Sequence, residues 1–129
     1  MRDYSVKPTP RELWRREQEA CFWSGCKANI RNGDIMECHE IIGGSDRAKT
    51  ILLPAFWLWL CREHHNQLSS RPSQESLIEQ LAVKKWADPE RYDPAKVIKM
   101  WRPNCTPELV REIVALVGRE YRRIARDFA

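Results

Sequence analysis

Apolar positions along the chain fall into one unbroken run and several spaced stripes, and the two patterns predict different elements. The run is Ile51–Cys61 (ILLPAFWLWLC), eleven residues that include Pro54. Crossing a bilayer takes roughly 20 apolar residues, so this run predicts no membrane span. Within it, Trp57 and Trp59 alternate with Phe56, Leu58 and Leu60. Both faces of an extended segment there are apolar, which predicts a strand sandwiched between a hairpin partner and helices. Ile35–Ile42 (IMECHEII) is compatible with a strand, closes on Gly43-Gly44 and precedes a polar stretch, Ser45–Thr50. The two segments are plausible partners in a hairpin with a long connection.

The spaced stripes predict helices. Thr9 can cap a helix with Pro10 at its first position and Glu12 in its first turn, giving an N-terminal helix over residues 10–20. Only Leu13, Trp14 and Ala20 are apolar in it, so it is expected on the surface. Residues 21–34 (CFWSGCKANIRNGD) turn repeatedly and read as a knuckle followed by a tight turn. Cys61–Leu68 opens a helix that the cluster Ser69–Ser73 ends. Ser73 then caps a second one, with Leu77, Ile78, Leu81 and Ala82 on one face and a stop at Asp88-Pro89. Asp93-Pro94 restarts a short helix to about Met100. The last helix has Thr106 as cap, Pro107 in the first turn and a stripe of Leu109, Ile113, Leu116, Val117 and Ile124. Neither internal repeats nor low-complexity segments occur.

Composition narrows the class. The chain has 129 residues, 43% apolar and 31% charged, which fits a single folded domain, 1–129, rather than a disordered or membrane protein. The net charge of +4, from 22 basic and 18 acidic residues, permits nucleic acid as a partner without requiring it. Met1-Arg2-Asp3-Tyr4 has no apolar segment behind its charges, so no secretory signal is expected and a reducing cytoplasm is the expected compartment. Five cysteines, an odd number in such a compartment, argue against a disulfide framework and leave metal binding, catalysis or packing.

Spacing chooses among these. Cys21 and Cys26 are separated by four residues across a Gly-containing turn, and Cys61 and His64 by two at a helix start. Together they supply the four ligands that a tetrahedral structural zinc accepts; the bland alternative is that the cysteines are small buried apolar residues. Cys38 and Cys105 are left over, and Cys105 has no partner at ligand spacing. His65 follows His64 and on a helix points about 100° away, free to serve a different site. His39, flanked by Glu37 and Glu40, lies in the first strand and can face His65 across a cleft. That would cradle a divalent ion in contact with phosphate. The bland reading of His39 is a hydrogen-bonded strand histidine. For Trp86 and Trp101, packing is favoured over base stacking. Arg119, Arg122, Arg123 and Arg126, offset by Glu120 and Asp127, read as a solvated helix face.

The order Cys-x4-Cys, Glu-x-His-Glu-Ile-Ile-Gly-Gly-Ser-Asp-Arg and Leu-Cys-Arg-Glu-His-His-Asn resembles the HNH endonuclease superfamily in its zinc-knuckle ββα-metal form, and small phage and bacterial members in particular. The resemblance covers about residues 21–68, and Leu81–Asp93 is similar to the tail of such small proteins. It implies an α+β fold, a ββα-metal (His-Me finger) core at 21–68 between an N-terminal helix, 10–20, and a helical C-terminal extension, 73–129. It also implies a metal-dependent DNA endonuclease in a bacterial or phage-infected cell, with Zn2+ as structural metal and Mg2+, Mn2+ or another divalent ion as catalytic metal. Cys21, Cys26, Cys61 and His64 would hold the zinc, and His65 would be a ligand of the catalytic ion. The first motif block admits two registers. In the favoured one His39 is the other ligand and Glu40 the general base; in the other His39 is the base and Cys38 takes the ligand position, a poor donor for a hard ion. Arg47, Lys49 and Arg62 would hold the DNA backbone. Phe56 stands where the family has the asparagine that fixes its catalytic loop. Together with Glu40, that departure supports a second reading, a zinc-stabilised module that binds DNA or protein without catalysis.

Overall fold

The computed structural model describes residues 7–43 and 53–128, which form a mixed α+β fold with five α-helices and a two-stranded antiparallel sheet. Helix α1 spans Pro10–Glu17, capped by Thr9, whose hydroxyl accepts from the Glu12 N–H at 3.1 Å. It stops three residues before the expected end because the chain turns extended at Gln18 and Ala20 pairs with Asn29 to close the knuckle. Nor is α1 merely a surface element. Trp14 is buried among Phe22, Trp57 and Trp59, so one large aromatic anchors a helix that apolar residue number alone placed outside the core.

Strands β1 (Met36–Glu40) and β2 (Trp57–Cys61) form the expected hairpin, with Cys38 opposite Trp59 and His39 opposite Leu58. Phe56 falls in a 3-10 turn, Pro54–Phe56, just before β2, and its carbonyl accepts the Ile41 N–H at 2.8 Å. β2 is buried along its whole length, as two apolar faces require. It runs directly into the five-residue helix α2 (Arg62–Asn66). Helix α3 (Gln74–Ala87) is capped by Ser73, α4 covers Pro94–Trp101, and α5 covers Pro107–Phe128 with Thr106 accepting from the Leu109 N–H. α3 packs against α5 through a stripe on α5 of Val110, Ile113, Val117 and Ile124; Leu109 and Leu116 are only half-buried.

α3 has apolar residues around much of its circumference because it lies between the sheet side and α5. Two polar side chains, Gln80 and Lys84, are fully buried on it. Lys84 Nζ donates to the Trp57 carbonyl at 2.8 Å and to Asp88 Oδ2 at 2.7 Å, and the Trp14 indole N–H donates to the same carboxylate at 3.0 Å. Burial pushes the Asp88 carboxyl up, but Lys84, Trp14 and Arg91 outweigh it and hold the group below its ordinary value. This network fastens α1, β2 and α3 together. Removing one partner would leave a buried charge uncompensated.

Candidate metal centre and cleft

The knuckle is built by local backbone chemistry. Gly25 has φ 79°, which favours glycine, and lets the Cys26 N–H donate back to the Trp23 carbonyl. The Cys21 N–H donates to the Ala28 carbonyl, and the Phe22 N–H to the Trp59 carbonyl at 2.7 Å, which ties the knuckle to β2. As a result Cys21 and Cys26 meet Cys61 and His64, with the four ligand atoms all within 4.8 Å of one another. His64 Nδ1 lies 3.3 Å from Cys61 Sγ and 3.6 Å from Cys21 Sγ. These are close to the edges of a tetrahedron around an ion bonded at about 2.3 Å to sulfur and about 2.0 Å to nitrogen. Burial pushes the Cys21 thiol up to about 12, with the neighbouring cysteines adding to the shift. The group is compatible with a metal such as zinc. Trp23 stacks on His64 at 5.5 Å between ring centres, a partner that sequence spacing did not suggest.

The second cluster shares helix α2 with the first. His39 and His65 converge with their Nδ1 atoms 3.1 Å apart. Behind His39, Nε2 meets Gln80 Oε1 at 2.9 Å; behind His65, Nε2 faces Glu37 Oε2 at 3.5 Å. Burial lowers His39 to about 4, so the ring is neutral at physiological pH. Both histidines line an open pocket of about 330 Å³ together with Arg11, Cys38, Glu40, Gly43, Leu68 and Ser70. Arg11 Nη1 donates to Glu40 Oε1 at 2.8 Å, an ion pair with both side chains largely buried. Burial raises the Cys38 thiol above its ordinary value.

Of the residues expected to contact DNA, Arg62 is exposed beside the cleft and donates to Glu37 Oε1 at 3.2 Å, while Arg47 and Lys49 lie outside the described residues. Phe56, where the HNH resemblance would call for an asparagine, is fully buried. Two pocket-side residues escaped the sequence reading. Gln80 carried a signal: it falls three residues after Leu77, on the apolar phase of α3, where a polar side chain needs a partner. Arg11 carried none, because its approach depends on how α1 docks through Trp14.

Compared with known proteins, the chain matches no protein-family model, no curated protein and no solved structure. Among the described residues no helix is long and apolar enough to cross a membrane.

Proposed function

We propose that the protein is a metal-dependent DNA endonuclease of the HNH type, with β1, β2 and α2 as a ββα-metal core and a structural zinc on Cys21, Cys26, Cys61 and His64. The observation that carries this reading is the convergence of His39 and His65, Nδ1 to Nδ1 at 3.1 Å, in an open pocket. A zinc knuckle needs no such pair. The separation lies between the octahedral and tetrahedral edges for ligands at about 2.1 Å, so the two rings fit neighbouring positions on one divalent ion and leave the remainder open.

Bound there, Mg2+, Mn2+ or a similar ion would supply Lewis-acid polarisation of the scissile phosphodiester and stabilise the leaving oxygen. The chain's own residues provide the rest. His39, committed through its two nitrogens to Gln80 and to the His65 side, is a ligand rather than a base, which favours the register with Glu40 as proton acceptor. Arg11 holds the Glu40 carboxylate in place through its 2.8 Å contact, and its guanidinium sets a fixed positive charge at the pocket for the phosphate. Arg62, with Arg47 and Lys49 of the segment between the strands, would steady the flanking backbone.

The buried Phe56 favours a second reading, a zinc-stabilised binding module without catalysis. Incubating the protein with supercoiled plasmid and Mg2+, Mn2+ or Ni2+, beside His39→Ala and His65→Ala, separates the two. Nicking that both substitutions abolish is expected. No nicking in any metal, or nicking indifferent to both substitutions, would rule out the endonuclease and leave the module.

A further inference from the structure

We propose that Gln80 is a positioning residue that fixes the tautomer of His39, so that helix α3 is part of the site rather than only its support. A neutral imidazole carries one proton, and which nitrogen bears it is set by the partner of the other. Gln80 is fully buried, and its amide bridges His39 and Ser76, one turn back on α3, with Nε2 donating to Ser76 Oγ at 3.1 Å. In this orientation Oε1 faces His39 Nε2, 2.9 Å away. A carbonyl oxygen only accepts, so Nε2 holds the proton and Nδ1 presents its lone pair to the pocket. The opposite arrangement, with the amide reversed, would put the proton on Nδ1 and make the 3.1 Å contact to His65 an ordinary hydrogen bond, closing the position where an ion would sit.

The tautomer follows from the amide orientation with Oε1 on His39; its use in holding a divalent ion rests on the endonuclease reading. It follows that the stretch resembling the HNH family, residues 21–68, lacks one of the groups that prepares its own histidine. A buried glutamine could equally be there to satisfy His39 for packing. The two roles part at substitution: Gln80→Glu, once ionised, offers oxygens that only accept and therefore enforces the same tautomer, whereas Gln80→Leu removes the acceptor.

The test is proton-nitrogen correlation spectroscopy on the histidine rings of the zinc-containing full chain, followed by Mn2+ titration read by electron paramagnetic resonance. His39 should carry its proton on Nε2 in the wild type and in Gln80→Glu. Gln80→Leu should lose that preference and bind Mn2+ about 10- to 100-fold more weakly, with Gln80→Glu near the wild type. A proton on Nδ1 in the wild type overturns the proposal without recourse to any variant. So, where the wild type binds Mn2+, does an affinity that is unchanged in Gln80→Leu, or that falls as far in Gln80→Glu. A wild type with its proton on Nε2, lost in Gln80→Leu, that neither binds Mn2+ nor nicks plasmid would uphold the positioning role while removing the endonuclease.

Discussion

His64 and His65 are neighbours on one five-residue helix and belong to clusters of opposite construction. His64 meets three cysteines in a closed group whose donors are all within 4.8 Å, shielded by the Trp23 ring. His65 meets a single histidine across an open pocket, with Glu37 and Gln80 behind the pair. A closed four-donor set suits a metal that holds a fold together; two donors and open positions suit one that meets a substrate. The rotation between consecutive helical residues is enough to send two identical side chains to different chemistry.

That contrast can be broken most forcefully through the Cys3His cluster. Stripping the metal with a chelator should remove on the order of 10 kcal/mol of folding free energy and abolish the cooperative thermal transition. His64→Ala should weaken the same transition strongly, whereas His65→Ala should shift stability by about 1 kcal/mol or less. Equal losses for the two neighbours would erase the distinction.

A smaller effect concerns pH. His39 is held near 4 against an ordinary 6.5, so the unfolded chain takes up the proton first as pH falls. The stability contributed by the neutral ring is therefore complete above about pH 6.5 and is lost between pH 6.5 and 4. Over that window the wild type should lose about 3 kcal/mol more than His39→Asn, whose side chain does not titrate. Both proteins keep the knuckle, so acid release of any metal held there cancels in the difference. Parallel denaturation curves would show that burial does not control this ring.

The smallest stability effect is expected at the cleft rim. Arg62 and Glu37 form an exposed pair, and Arg62→Ala should change stability by less than about 0.5 kcal/mol. Its effect should show instead in weaker DNA retention, with the logarithmic salt slope falling by about one. An unchanged slope would remove Arg62 from the interface.

Local chemistry made much of this legible. The Thr9, Ser73 and Thr106 caps, the proline-led helices and the two strands follow from residues within one turn of each element. The members of the Cys3His cluster were legible for the same reason, since each pair sits within a single turn. The early end of α1 was not, because a pairing between Ala20 and Asn29 overrides the helix.

The sequence by itself determined which residues could be ligands, where the chain turns, and that one strand must be covered on both faces. Only the tertiary structure decided that His39 and His65, 26 residues apart, face each other, and that Gln80, 41 residues from His39, stands behind it. Strand register and helix phase make those decisions. A slip of one residue between β1 and β2 would turn His39 to the opposite face of the sheet and leave every local spacing as it is.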